Sequence, residues 1–313
     1  MLKFILKQLI PPFFITIIKN LYFKIGKTKY FLSSIHEHMK KSDTILILGN
    51  GPSLKQQLDN NISILSSYPL ICVNHFVSTS YYCKIKPSIY VLADPNLFLE
   101  NPPPSLFEVN ENMWKNLYEL TSWKIEIIIP SQFKDNYRIK YISKNNYIKI
   151  LFYNNMIDLI DYKNKDTQFK YFNKNKLKTP AQTVLNTAVF LAIFWKYKNI
   201  VLLGADTSWH KELNIDQDTN KLYIYDEHFY DNKKRFIYKD MEETIPIKLH
   251  EEFRAICIAL ENYWLLRDYA KYNSVTVYNA SSVSWIDAFE RISLDKFFCN
   301  IEKPLNQSIN NEN

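Results

Sequence analysis

The chain has 313 residues, 47% of them hydrophobic and 23% charged, with a formal net charge of +7. That is ample for a buried core, either as one large α/β domain or as two small ones, and too ordered a composition for a disordered chain. Its four cysteines, Cys72, Cys83, Cys257 and Cys299, lie far apart with no CxxC pair, which argues against a disulfide framework and a cysteine metal site and for a reducing compartment.

Residues 1–40 stand apart. Lys3, Lys7, Lys19, Lys24, Lys27 and Lys29 precede the first acid, Glu37. The apolar run 9–18 is shorter than the roughly 20 residues a spanning helix needs, and no small-residue cleavage site follows it. Basic, aromatic and apolar residues together predict a basic amphipathic arm lying on an anionic membrane face, which makes the protein cytoplasmic and peripheral on the inner face of the cell membrane. A helix docked on the core is the other reading. The remaining body is nearly neutral, which leaves no case for a nucleic-acid groove. The bias toward Lys, Asn, Ile and Tyr matches an A+T-rich bacterial genome.

From 41 to 300 short apolar runs alternate with helical patterns. Runs at 44–48, 70–73, 89–93, 125–129, 147–152, 200–203 and 275–278 predict strands buried on both faces, as in a parallel sheet. Helices are predicted over 183–197, with Val184, Thr187, Ala188, Leu191 and Trp195 at helical spacing, and over 251–272, with Phe253, Ile256, Leu260, Tyr263 and Trp264. Trp195, Tyr263 and Trp264 are assigned to the core. The alternation predicts an α/β, doubly wound, mostly parallel sheet of the Rossmann-like kind, forming a single nucleotide-binding domain. Residues 163–178 are polar and lysine-rich and read as a loop. Residues 207–249 hold no convincing periodic element and read as a substrate lid. Residues 301–313 read as a disordered tail.

Ligands in open α/β sheets bind at the carboxyl ends of the strands. There the chain places Gly49-Asn50-Gly51-Pro52-Ser53, Asn74-His75, Asp94-Pro95-Asn96, Gly204-Ala205-Asp206 and Asn279-Ala280-Ser281-Ser282. Average usage would give about 22 glycines in such a chain. This one has four, and three of them stand in these turns. Gly49 and Gly51 are expected to let bare backbone pass close to a ligand, and Ser53 to cap a helix whose N-terminus faces a nucleotide phosphate. A tight turn without a ligand is the plain alternative. The third glycine of the dinucleotide fingerprint is missing, and so is the Gly-Lys-Ser/Thr of a P-loop. No G-x-S-x-G elbow supports a serine hydrolase. His250 opens a helix after the lid and is a candidate general base. His210 and His228 flank or lie in the lid as ligands, bases or structural residues. Asp226, Glu227 and His228 would hold a metal only with partners the sequence does not identify.

"ILGNGPSLK", "VNHF", "ADPNLFLE", "NIVLLGAD" and His250 before a helix fall in an order that resembles the small bacterial CMP-sialic-acid sialyltransferases of glycosyltransferase family 42, and the related Maf-type and MptE-like superfamily, over residues 44–290. The resemblance implies that Asn50, Gly51 and Ser53, with Gly49 and Pro52 in the same turn, lie against the nucleotide. It further implies that Asn74 and Asp94 contact the nucleotide, Gly204 and Asp206 lie beside it, Thr183 approaches the phosphate, and His250 is the general base. The chain departs from the family at Asp94, where an asparagine is usual, at Ala181, where an arginine is usual, at Val184 in place of a serine, and after Asp206, where two tyrosines are missing. Tyr223, Tyr225 or His228 in the longer lid would stand in for them. What is implied is an inverting glycosyltransferase of bacterial surface polysaccharide or lipopolysaccharide biosynthesis. Its donor would be CMP-sialic acid or a similar nucleotide-activated sugar and its acceptor a glycan or lipid-linked molecule, with no cofactor and no metal. The alternatives are an MptE-like ATP-dependent diphosphotransferase, with Mg²⁺ held by Asp94 and Asp206 through water, and a non-catalytic nucleotide- or glycan-binding module.

Overall fold

The sequence "TILIL" forms strand β1, Thr44–Leu48, and all five of its residues are buried. In a strand successive side chains point to opposite faces. Here Ile45 and Ile47 enter one hydrophobic cluster and Leu46 and Leu48 the other. A strand covered on both faces has no place for alternating polar residues, so the run reads as continuously apolar. The computed structural model describes residues 42–153, 164–174, 180–228, 231–239 and 243–300, with backbone alone for 105, 225–228, 231–234 and 300. The expected membrane-facing arm and the C-terminal tail lie outside the described residues.

β1 pairs in parallel with β2 (Leu70–Val73) on one side and with β6 (Asn199–Leu203) on the other. The sheet continues through β3 (Ile89–Val91), β4 (Ile125–Pro130) and β5 (Ile148–Tyr153) in one direction. In the other it continues through β10 (Thr276–Asn279) and β11 (Glu290–Arg291). All seven pairings are parallel, in the order β11-β10-β6-β1-β2-β3-β4-β5. The chain reverses its direction of travel between β1 and β6. With a fixed crossover hand, helices before and after such a reversal cover opposite faces. Helices α1 (Leu54–Leu65), α2 (Tyr82–Ile85), α3 (Pro104–Leu120) and α4 (Tyr137–Ile142) supply Leu58, Tyr82, Trp114 and Ile139 to one cluster. Helices α5 (Lys165–Asn173), α6 (Val184–Phe194) and α7 (Leu249–Tyr272) supply Phe172, Phe190 and Tyr269 to the other. Helix α8 (Leu294–Asn300) follows β11. Helix α6 is apolar nearly all round, with every residue from Leu185 to Ile193 buried, as befits a central helix.

Three expectations need correction. Part of the segment read as a loop, 163–178, is helix α5. Asn164 caps it by accepting from the Thr167 N–H at 3.1 Å, and Phe169 and Phe172 anchor it against Phe190 and Tyr269. Two aromatic anchors in a lysine-rich stretch are too few to show a helical period. The lid region is not irregular. It holds an antiparallel sheet of β7 (Leu213–Ile215), β8 (Leu222–His228) and β9 (Asp231–Phe236). The charges in "LYIYDEH" and "DNKKRF" hide the alternation. Finally, Trp195 and Tyr263 are buried, but Trp264 is 39% exposed. Its indole N–H donates to Asp287 and the Arg267 guanidinium lies over its ring.

Among the described residues no helix is long and apolar enough to cross a membrane. The docking of α5 gives a test. Phe172→Ala should lower the unfolding free energy in urea by about 3–5 kcal/mol, the usual effect of emptying a buried aromatic site. Lys165→Ala breaks only an exposed pair with Asp268 and should change it by less than about 1 kcal/mol. Equal, small effects would show that the segment does not dock.

Candidate functional site

The reversal point between β1 and β6 is where a doubly wound sheet opens a crevice. Two turns meet there. The Gly49 N–H donates to the Leu203 carbonyl at 2.8 Å and the Gly51 N–H to the Gly204 carbonyl at 2.9 Å. A Cβ on Gly49 would lie 2.3 Å from the Gly204 carbonyl oxygen. One on Gly51 would lie 2.4 Å from the carboxyl carbon of Asp206. Gly204 itself sits at φ +60 against Leu54. The glycines are therefore required by the approach of one turn to the other. The expectation that Gly49 and Gly51 clear space for a ligand is corrected: that space belongs to the turn after β6.

Asp206 ties the two turns together. It is 5% exposed. The Ser53 hydroxyl donates to its Oδ1 at 2.5 Å and the Ser53 N–H to its Oδ2 at 3.0 Å. Ser53 makes no side-chain cap for α1, contrary to expectation. The negative charge at that helix end is Asp206, not a ligand phosphate. Burial pushes the Asp206 carboxyl above its ordinary value of 3.8, against the pull of its Ser53 hydrogen bonds and of Arg291.

Beside these turns lies a cavity of about 550 Å³, within the size range of small-molecule sites. Of the residues expected at a nucleotide, Asn50, Gly51, Pro52, Asn74, Asp94, Thr183, Gly204 and Asp206 line it; Gly49 and Ser53 stand behind it. Asn74 is held at φ +43, and its Oδ1 accepts from the Ala93 N–H at 3.3 Å. Asp94 accepts from the Asn96 N–H and caps a short 3-10 turn. Thr207, which also lines the cavity, takes φ +54. Left-handed backbone at a β-branched residue is strained, and such strain concentrates at functional sites.

Three features give the cavity its chemistry. The N-terminus of α6 opens on it through Thr183, Val184 and Leu185. Thr183 and Asn186 form a reciprocal capping box, at 3.1 and 3.3 Å. The first-turn N–H groups of a helix lack intrahelical partners and favour anions. Second, the buried Oδ1 of the lining residue Asn50 makes no hydrogen bond. The Asn50 amide orientation is fixed, because its Nδ2 donates to the Val73 carbonyl at 3.2 Å. Its Oδ1 is left to accept from a ligand, and a buried orphan acceptor of this kind is rare. Third, the lining carries Asp94, Asp206 and Glu212 but, among the described residues, no lysine or arginine.

Sequence reasoning did not single out Trp209, Glu212 or Gln182. No motif marks them, and only the folded lid brings Trp209 and Glu212 to the cavity. His250 stands exposed in the first turn of α7 and lines neither this cavity nor the smaller one adjoining it. Tyr223 packs its ring on Phe236, away from both. The side chains of Tyr225, Asp226, Glu227 and His228 lie outside the described residues. His210 packs edge-on against Trp285 at 4.3 Å. Among the described residues no three metal-ligating side chains converge.

The raised Asp206 pKa has a definite sign. The folded state binds this proton more tightly than the unfolded one, so the carboxyl favours folding most at low pH. That contribution declines as pH rises through and above about 4. The stability difference between wild type and Asp206→Asn, from urea titrations between pH 4 and 7, should shift against wild type as pH rises. A difference that instead moves in favour of wild type would mean the ionised carboxylate is the form the fold prefers.

No curated protein sequence matches the chain. Among solved structures, the Maf glycosyltransferase from Magnetospirillum magneticum AMB-1 is similar at 12% identity and a TM-score of 0.45. The match covers 84% of this chain and 34% of that one, so the chain spans about a third of that protein's length. Residues 16–212, more than half of the chain and including every turn of the crevice between β1 and β6, match the model of the 6-hydroxymethylpterin diphosphokinase MptE-like family, and the chain belongs to that family.

Proposed function

We propose that the protein is a nucleotide-dependent transferase, and specifically an inverting glycosyltransferase of bacterial surface polysaccharide or lipopolysaccharide assembly. Its donor is a nucleotide-activated sugar, CMP-sialic acid or one similar to it. The observation that carries the reading is the combination, in one cavity, of an open helix N-terminus, a buried unpartnered amide oxygen and an acidic lining. The α6 N-terminus suits one phosphate. The Asn50 Oδ1 suits a donor group of the base or ribose. The carboxylates oppose a polyphosphate, because like charges at short range in a desolvated site are strongly unfavourable. A donor with a single phosphate, as in a CMP-sugar, meets that constraint without help. The α6 dipole would then stabilise the departing phosphate.

The second reading, an ATP-dependent diphosphotransferase, draws on the family match. It calls for Mg²⁺ between the carboxylates and the phosphates. The donor set fits this poorly: both oxygens of Asp206 already accept from Ser53, and Asp94 accepts from Asn96. The proposal also extends to the lysine-rich residues 1–40, as an arm that holds the site near a membrane-borne acceptor.

Thermal shift with CMP, CDP, UDP, GDP and ATP, each with and without Mg²⁺, separates the two readings. Stabilisation by CMP without metal is the expected result. Stabilisation by ATP alone, and only with Mg²⁺, would replace the glycosyltransferase by the diphosphotransferase. For the arm, changing Lys3, Lys7 and Lys19 to Glu should release the protein from phosphatidylserine vesicles at low salt. Unchanged sedimentation with vesicles would remove the arm from the account.

A further inference from the structure

A second cavity, about 290 Å³, adjoins the first. Gln182, Thr183, Trp209 and Glu212 line both, so the two are neighbouring compartments with a common wall. The smaller lies between the lid sheet and α7. Leu213, Ile224, Ile237 and Ile256 give it apolar walls, and Arg235 and Glu252 are its other charged groups. Burial pushes the half-buried Glu252 carboxyl up, against the pull of Arg235, which marks the compartment as partly desolvated.

A two-substrate transferase must bring its acceptor hydroxyl to the reacting atom of its donor. The proton acceptor therefore belongs on the common wall. Of the four residues there, only Glu212 carries a carboxylate that can serve as a general base. It is 7% exposed. Its backbone is fixed by the Glu212 N–H to Trp209 carbonyl bond at 3.0 Å and by Asn214 Nδ2 donating to its own carbonyl at 3.0 Å. The Ser208 hydroxyl donates to its Oε1 at 3.3 Å.

We propose that the smaller compartment binds the acceptor, a glycoside presenting one sugar ring with an apolar face, and that Glu212 takes the proton of its attacking hydroxyl. This rests on the donor reading of the larger cavity. The acceptor oxygen forms a bond to the anomeric carbon of the donor as its proton passes to the Glu212 carboxylate. The bond from that carbon to the phosphate oxygen breaks, and its electron pair leaves with the nucleotide. Glu212 then releases the proton to solvent.

The test uses full-length wild type, Glu212→Gln, Ile224→Trp and His250→Ala. CMP stabilisation is measured for each, together with CMP release from CMP-sialic acid with and without methyl β-galactoside. Glu212→Gln should still be stabilised by CMP, by at least as much as wild type because a negative charge leaves the donor cavity, and should lose glycoside-dependent release by about 10²–10⁴-fold. Ile224→Trp fills the smaller compartment and should keep the CMP shift while raising the glycoside KM about tenfold or more. His250→Ala should stay near wild type in both. If CMP fails to stabilise wild type, the donor reading falls, and this inference with it. If CMP stabilises wild type but the glycoside does not accelerate release, or Ile224→Trp leaves its KM unchanged, the acceptor compartment is wrong. If Glu212→Gln turns over at the wild-type rate while His250→Ala is inactive, the proton goes to His250 instead.

Discussion

One carboxylate organises the edge of the sheet where the site lies. Asp206, at the end of β6, accepts both the hydroxyl and the N–H of Ser53, at the start of α1. That contact needs the turns after β1 and β6 to touch, which in turn requires Gly49, Gly51 and Gly204. Two helix N-termini then differ in what they offer. At α1 the protein's own Asp206 accepts from the N-cap N–H. At α6 the first turn faces open space. An anion arriving in the crevice would find one end occupied and the other available, which is why the proposed reading puts the phosphate at α6.

The same pairing adds to the acidity of the cavity wall. A buried carboxylate held by two neutral hydrogen bonds raises the local negative potential, and Asp94 and Glu212 add to it. Neutral amides and hydroxyls fill most of the remaining polar wall. On the proposed reading, such a wall favours a donor with one phosphate, because each added phosphate charge must be desolvated beside carboxylates. The family is described by a diphosphokinase, and the proposed reading of this chain rests instead on the acidic wall of its cavity. The fold sets where the crevice lies, while side chains on its rim set the chemistry.

Much of this was legible in the sequence, for a physical reason. Strands buried on both faces are mostly apolar, so β1 and β2 can be read to the residue; β6 and β10, which begin on Asn199 and the exposed Thr276, are read to within about one residue at their ends. The turn residues Asn50, Asn74, Asp94 and Asp206 follow once the strand ends are known. What failed to show depends on contacts remote in sequence. The glycines looked like ligand clearance because the turn they touch is over 150 residues away. Helix α5 rests on two phenylalanines packed against Phe190 and Tyr269, and no local period reveals that. Charged lid strands concealed their pairing, and with it the arrival of Trp209 and Glu212 at the cavity. His250, the base the resemblance implies, stands exposed in the first turn of α7 and lines neither cavity.

The central claim is that the crevice between the interlocked turns holds a nucleotide by its phosphate and by Asn50. A crystal structure of the protein grown with CMP tests it most directly. The account predicts the phosphate at the first turn of α6, near Thr183 and Val184, with a hydrogen-bond donor of the base or ribose on Asn50 Oδ1 and the Asp206–Ser53 pair intact. CMP bound with its phosphate at Ser53 and Asp206 displaced, or bound outside this crevice, would contradict it.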